Sequence, residues 1–500
     1  MDLCVTDVQT QTENFDLIIV GSGSGNSIPE YLSDWKIAIV ERGVYGGTCL
    51  NVGCIPSKMF VLPADAALSA QRAGKMNIDA QYNGVDFPAL RDRVFGRIDE
   101  ISEGGREYRA AGSANVTLFE GTARFAGDKL FEVDMNEGPQ RLITAPRVLL
   151  AAGARPVVPP IPGLVETGFH TSDTIMRLPD LPKRLGIIGG GFIAVEMGHV
   201  FSALGSEVTM INRSMVLLRG FDTDVTERFT ELFGERVDLR LGHVPTKVER
   251  TGEGIVITNG GEKIVVDELL VATGREPNSD LLDVKSGGLE CHDHGTVVVD
   301  DTMATGVDGV WAIGDIANSY QLKHLANAEA SVAFWNIAHP NDIRRQSYKA
   351  VPGAVFSNPQ VASVGLTEQD AEAQGIPFTV GKRDYAGTAY GWAIVDETSF
   401  AKVLVHAETG LFLGAHILGP QAATLIQPII QAMEFGQRAE DVARAVFYIH
   451  PALTEVVENA ILEALVEPDP ERTVPPGSAD DIDPTAPDAE MAPGITADSD

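Results

Sequence analysis

Two of the chain's four cysteines stand five positions apart, in the run Gly46-Gly47-Thr48-Cys49-Leu50-Asn51-Val52-Gly53-Cys54-Ile55-Pro56-Ser57-Lys58. Four cysteines in 500 residues are too few for a secreted disulfide framework, so a close pair asks for metal or redox chemistry. A metal pair would more naturally be spaced C-x2-C with further Cys or His nearby, and none is in this run. On a regular helix, residues five apart sit about 140° from one another at about 3.6 residues per turn, so joining the two sulfurs takes irregular backbone. Gly53 can supply it, and Pro56 can open the helix that follows. A helix N-terminus there would lower a thiol pKa and ready it for exchange. The pattern points to thiol–disulfide exchange, against the blander alternative of two buried free cysteines. Exchange needs a group that moves protons near neutral pH. The segment His450-Pro451-Ala452-Leu453-Thr454-Glu455 offers a histidine for that work and a glutamate that can orient it. Taken alone, such a histidine is more often surface decoration.

These side chains need a scaffold. Gly21, Gly23 and Gly25 follow the apolar run Leu17 to Val20, and Glu41 closes a second run, Lys36 to Val40. In a dinucleotide-binding unit the glycines let backbone approach a pyrophosphate at a helix N-terminus, and the acid accepts from ribose hydroxyls. A short helix is expected after the turn, with Pro29 near its start. The third position of G-x-G-x-x-G is Asn26, a departure that bears on close helix packing. A second turn, Gly189-Gly190-Gly191-Phe192-Ile193-Ala194, lies about 168 residues on and keeps the small residue at Ala194. Two turns imply two nucleotides. After its next strand, Glu207 to Ile211, an NAD unit would place an acid, and this chain has Asn212, Arg213 and then Arg219. A guanidinium there pairs with a 2′-phosphate, which favours NADPH over NADH. Beyond about Tyr348 the pattern becomes alternating strands, Ala401 to Val405 and Phe412 to Ile417, with one long apolar helix over Ala422 to Glu434, an α+β unit.

Composition bounds the rest. Apolar residues at 44% and charged residues at 22% describe a soluble globular chain, and 38 basic against 70 acidic residues give a net charge of −32. That charge repels phosphate backbones and anionic lipid, so nucleic acid and membrane surfaces are poor partners. No apolar run reaches the ~18 residues of a spanning helix, and Met1 to Asn14 is polar without a leader pattern, so the expected location is cytoplasmic. Residues 467–500 hold seven prolines, ten acids and one arginine, the composition of a disordered tail.

The cysteine run resembles the redox-active disulfide of the flavin-dependent pyridine nucleotide–disulfide oxidoreductases, the family of glutathione reductase, lipoamide dehydrogenase and mercuric reductase. Val271-Ala272-Thr273-Gly274-Arg275 resembles the family's strand returning to the flavin domain, and Ala312-Ile313-Gly314-Asp315 its second flavin motif. Phe356 to Gly365 resembles the opening of its dimerisation domain, and the match runs from about Phe15 to Leu465. The resemblance implies an α/β fold with two Rossmann-like dinucleotide-binding domains, for FAD and NADPH, and a C-terminal α+β dimerisation domain. Its implied boundaries are 15–156 with 276–347 for FAD, 157–275 for NADPH and 348–466 for dimerisation, between an extension over 1–14 and the tail. FAD would be held by Gly21, Gly23, Gly25, Glu41, Thr48, Lys58 and Asp315, and NADPH by Gly189, Gly191, Ala194, Arg213 and Arg219, with Gly274 on the return strand.

The resemblance further implies that Cys49 and Cys54 form the redox disulfide, with Cys54 facing the flavin and Cys49 attacking substrate, and that Lys58 pairs with Glu196 near the flavin. His450 and Glu455 would come from the second subunit of a homodimer. Four stretches, Gly21 to Ser27, Lys323 to Asn327, Tyr390 to Ala393 and Tyr448 to Leu453, resemble a narrower branch that reduces the disulfide of a cysteinyl pseudodisaccharide thiol, in which Asn26 is ordinary. The expected function is NADPH-dependent reduction of that small-molecule disulfide, in support of thiol redox balance. Lipoamide dehydrogenase, glutathione reductase and a non-catalytic flavin-binding scaffold are the competing readings; Arg213 and Arg219 speak against the first, an NADH enzyme. Cys4 and Cys291 receive no role.

Overall fold

Leu17–Val20 is apolar at every position, the mark of a strand covered on both faces, and in the computed structural model, which describes residues 11–465, all four are buried. It lies inside an eight-stranded sheet. Ile37–Glu41 and Val148–Leu150 pair with it in parallel, and Val116–Gly127 and Val310–Ala312 extend the parallel core on either side. Successive side chains leave a strand on opposite faces. Leu17 and Ile19 therefore pack under Ala330, Ala333 and Phe334 of the helix Lys323–Ala338, while Ile18 and Val20 join Phe119 and Phe131 in a separate core. Leu130–Met135 and Arg141–Thr144 continue the sheet as an antiparallel meander. Glu13 and Asn14 form its last, parallel edge and Glu13 ion-pairs with Arg141, so the expected N-terminal extension already joins the sheet at its end. The rest of that extension up to residue 10, Cys4 included, and the acidic tail lie outside the described residues.

The second glycine turn opens a second α/β unit, whose parallel strands run in the order Asp238–Leu241, Glu207–Asn212, Arg184–Ile188 and Glu268–Val271. The helix Phe192–Leu204 follows the turn, and an antiparallel meander, Pro245–Thr251, Gly254–Asn259 and Glu262–Val266, completes the unit. A two-stranded ribbon of Ala154–Pro156 and Arg275–Pro277 marks where the chain leaves the first unit and returns to it.

The third unit is a five-stranded antiparallel sheet, Pro352–Val355, Val361–Gly365, Phe412–Leu418, Phe400–His406 and Phe378–Asp384, with the helix Thr454–Ala464 against it. The single helix expected over Ala422 to Glu434 is two, Ala422–Leu425 and Gln427–Glu434, because Pro428 has no N–H to donate to the Thr424 carbonyl. This sheet is tied to the second unit by Lys402, whose side chain is 2% exposed and whose Nζ lies 2.8 Å from Asp222, 3.2 Å from Asp224 and 2.6 Å from Glu368. Lys402→Met should lower unfolding stability by about 3–5 kcal/mol, since it strands the buried Asp222 carboxylate without its cation. Urea unfolding checks this, and a loss under about 1 kcal/mol, the worth of an exposed pair, would show that the cluster is hydrated.

Candidate active site

Irregular backbone separates the two cysteines, as their spacing requires. Gly47–Asn51 makes one helical turn and a half, Val52 and Gly53 break it, and Cys54–Arg72 runs on as a new helix. A Cβ on Gly53 would stand 2.9 Å from the Thr48 carbonyl oxygen, so only glycine lets the chain fold back this tightly. Pro56 sits in the first turn, where its missing N–H has no partner to lose. Both cysteines are free thiols and their sulfurs share a hydrogen bond. That bond is the main reason the Cys49 thiol is lowered to about 7; burial opposes it, and the charge of Lys323, the N–H of Cys54 at the helix start and the charge of Lys58 reinforce it. The same bond pushes the Cys54 thiol up. Of the two thiols, that of Cys49 is thus the one held lower.

Both sulfurs open onto a cavity of about 790 Å³. Gly21, Gly23, Glu41, Thr48, Lys58, Glu196 and Asp315 line it with them. Nine residues expected at the site thus share one wall. Gly21 has φ +104°, and a Cβ there would lie 2.3 Å from the Ala151 carbonyl oxygen. Gly25 faces away from the cavity and packs where a side chain would meet Ile19.

No α-helix follows this first turn. Two 3₁₀ turns, Ser24–Asn26 and Glu30–Leu32, replace the short helix, because Gly, Ser, Asn and Pro between residues 21 and 29 are poor helix formers. Asn26 accordingly does not serve a helix–strand contact. Its Oδ1 accepts from Tyr45 Oη at 2.5 Å and Arg109 Nε at 2.9 Å, and so anchors the turn to the helical segment beyond Phe87–Glu107. Ser22, which the motif did not single out, donates its N–H and hydroxyl to Glu41 at 2.9 and 2.6 Å, while Gly43 N–H donates to the other oxygen at 2.8 Å. These bonds set the carboxylate at the end of its strand.

Lys58 Nζ lies 2.8 Å from both oxygens of Glu196, which is nearly buried. Glu196 also accepts the Phe356 N–H at 3.0 Å, and the Lys58 ammonium sits 4.6 Å from the Phe356 ring centre. One ion pair thereby joins the cysteine helix, the helix of the second unit and the start of the third. Burial raises the Asp315 carboxyl, with Arg275 and Lys323 opposing it.

The remaining expected residues stand off this wall. Gly189 donates to Ile211 O at 2.9 Å and Ala194 is fully buried at the helix–strand contact, while their neighbours Phe192 and Ile193 reach the cavity; Gly191 opens that helix as its N-cap. Asn212 turns back to Val216 O at 3.0 Å, leaving Arg213 exposed at the strand end, with Arg219 exposed farther along the same loop. Gly274, at φ +132°, accepts from Val157 N–H in the return ribbon. His450 Nδ1 and Glu455 Oε1 are 2.7 Å apart, but the imidazole is 71% exposed and does not line the cavity of its own chain. Beside it Val446, Phe447 and Ile449 project outward, an apolar surface of the kind that marks an interface.

The cavity suits a flavin dinucleotide. Its backbone-lined glycine turns admit a pyrophosphate, and Asn51 Oδ1 and Gln321 Oε1 on its wall are buried with no partner in the protein. Residues 15–330 match the pyridine nucleotide-disulphide oxidoreductase family, and residues 351–461 match its dimerisation domain. The chain belongs to that family and is an oxidoreductase acting on a disulfide; membership implies FAD, a pyridine nucleotide and a paired subunit. It is 44% identical over 461 residues to mycothione reductase of Mycobacterium tuberculosis, across 90% of this chain and 99% of that one. Dihydrolipoyl dehydrogenase of Haloferax volcanii is 33% identical, across 93% and 98%. The solved structure of the HOCl-induced flavoprotein disulfide reductase RclA from Escherichia coli matches with a TM-score of 0.79 at 26% identity, covering 90% and 100%. Two dinucleotide-binding α/β domains with a C-terminal α+β dimerisation domain is thus the fold class, as expected. Among the described residues no helix is long and apolar enough to cross a membrane.

Proposed function

We propose that the chain is an NADPH-dependent reductase of mycothione, the disulfide of mycothiol, working as a homodimer in the cytoplasm. The observation that carries the reading is the Cys49–Cys54 pair on the cavity wall, with Cys49 lowered to about 7. The choice of mycothione rests on likeness to the Mycobacterium tuberculosis enzyme along nine-tenths of the chain. On this reading residues 15–156 with 276–347 hold FAD, 157–275 hold NADPH and 348–466 hold the partner subunit.

Gly21, Gly23, Glu41, Thr48, Lys58 and Asp315 would hold FAD, with Gly25 packing the turn behind them, and FAD when bound supplies two-electron transfer between the nicotinamide and the sulfur pair. The other steps belong to the protein's side chains. Cys49 attacks one sulfur of mycothione, the substrate S–S bond breaks, and His450 of the partner subunit gives a proton to the departing thiolate. Cys54 then attacks the Cys49 sulfur of the mixed disulfide, releases the second mycothiol and restores the Cys49–Cys54 bond. Glu455, 2.7 Å from Nδ1, orients the imidazole and offsets its charge. Per turnover, NADPH, one proton and one disulfide become NADP⁺ and two thiols.

Steady-state rates on mycothione, glutathione disulfide and lipoamide, each with NADPH and with NADH, test the assignment. Mycothione with NADPH should be preferred, and a preference for lipoamide with NADH would replace this reading with the dihydrolipoyl one. Arg213 is the exposed guanidinium at the strand end where a 2′-phosphate would lie. Arg213→Gln should raise KM for NADPH roughly tenfold, the loss of about 1.4 kcal/mol, and leave KM for NADH within twofold. Equal effects on both cofactors would remove Arg213 from the specificity argument.

A further inference from the structure

Lys323 is the first residue of the helix Lys323–Ala338, and half-buried. A cation at that end opposes the helix dipole and is disfavoured by about 0.3–1 kcal/mol. Among the described residues no carboxylate lies within ion-pairing distance of it. A side chain kept at a cost, without a counter-ion, at a cavity wall is a candidate for chemistry.

Its position is held by a hydroxyl. Lys323 Nζ donates to Ser24 Oγ at 2.9 Å, and Ser24 Oγ donates on to Asn327 Oδ1 at 3.0 Å, one turn farther along the same helix. Two of the stretches that the sequence set apart, Gly21 to Ser27 and Lys323 to Asn327, are thereby one structural unit built across 299 positions. Ser24, Lys323, Cys49 and Cys54 all line the one cavity.

We propose that Lys323 is the charge-stabilising residue of the sulfur pair: Ser24 and Asn327 hold its ammonium at the wall, where it and the positive end of its helix favour the anionic form of Cys49 during exchange. The inference rests on the exchange role given to Cys49 above. Behind the hydrogen bond from Cys54, which acts first and against burial, Lys323 is the leading cation lowering Cys49, ahead of Lys58. The reason is visible in the partners. Lys58 is neutralised by Glu196 at 2.8 Å, whereas Lys323 Nζ is hydrogen-bonded to the neutral hydroxyl of Ser24. Asp315 also feels the charge of Lys323, together with that of Arg275.

The test uses the flavin-loaded dimer reduced with dithiothreitol, and reads iodoacetamide alkylation of Cys49 by mass spectrometry between pH 5.5 and 9, where a one-unit rise in thiol pKa slows the low-pH rate tenfold. Lys323→Met is expected to slow alkylation at pH 6.5 about three- to tenfold and to leave the rate above pH 8.5 nearly unchanged. Lys323→Arg, which keeps the charge, should return the wild-type profile. A Lys323→Met profile that superposes on wild type overturns the proposal, and so does a Lys323→Arg profile shifted as far as that of Lys323→Met. Should Lys323→Met lose its flavin, Ser24→Ala is expected to shift the same rate in the same direction, and an unshifted Ser24→Ala profile overturns the proposal instead. Alkylation reads Cys49 whether or not the two sulfurs ever bond. The disulfide reading is decided separately, by counting thiols before and after reduction.

Discussion

Cys49→Ser should lower mycothione reduction by about a thousandfold or more, the usual cost of removing a nucleophile, while NADPH-driven reduction of ferricyanide continues near the wild-type rate. The two assays separate because ferricyanide draws electrons without passing through the sulfurs. A serine hydroxyl stays protonated at neutral pH, whereas the thiol of Cys49 is lowered to about 7 by Cys54, with Lys323 and Lys58 adding to it. Cys54→Ser should lose disulfide turnover as completely but for a later reason: Cys49 can still attack, and nothing resolves the adduct. Mass spectrometry should then find that variant carrying one mycothiol on Cys49. Retention of more than about 1% of mycothione turnover in Cys49→Ser, against the expected thousandfold loss, would remove the exchange mechanism.

His450→Ala should lower disulfide turnover by about 10²- to 10⁴-fold, the range for a lost general acid–base group, again sparing ferricyanide reduction. The imidazole is mostly exposed on its own chain and absent from its own cavity wall, with an outward apolar surface at Val446, Phe447 and Ile449 beside it. That arrangement makes sense if the ring completes the site of a second subunit. Mixed dimers decide the matter. In a heterodimer of Cys49→Ser and His450→Ala chains, one of the two sites regains both residues, so random re-association of the two inactive proteins should restore about a quarter of wild-type turnover under two-fold symmetry. No restoration, with heterodimers present by native mass spectrometry, would place His450 in service of its own chain.

Much of this site is legible because its chemistry is written in short contiguous runs. The demand for irregular backbone between Cys49 and Cys54 follows from helix geometry alone, and Gly53 answers it where a Cβ would stand 2.9 Å from Thr48 O. Glu41 is recognisable as the acid ending a strand, because Leu17–Val20 and Ile37–Glu41 are apolar runs of strand length. Asn26 is different. The motif marks its position as unusual, yet its bonds to Tyr45 and Arg109 involve residues 19 and 83 positions away, and no local pattern announces them. The helix expected after that turn fails for a local reason, the Gly, Ser, Asn and Pro content, which was open to reading. The break before Pro428 was equally open.

Residue types and near spacings thus determined which groups could do chemistry: the sulfur pair, the two glycine turns, the acid at the strand end, the arginine after Asn212, and the histidine with its glutamate. Tertiary structure alone decided which of them meet, and with whom. Glu196 reaches Lys58 from 138 positions away, Lys323 reaches Ser24 from 299, and Lys402 reaches Asp222 from 180. Propensity and hydrophobic period act over a few residues along the backbone. Pairs such as these are brought together by the burial of sheet and helix faces from separate units, and that packing is a property of the whole chain rather than of any segment in it.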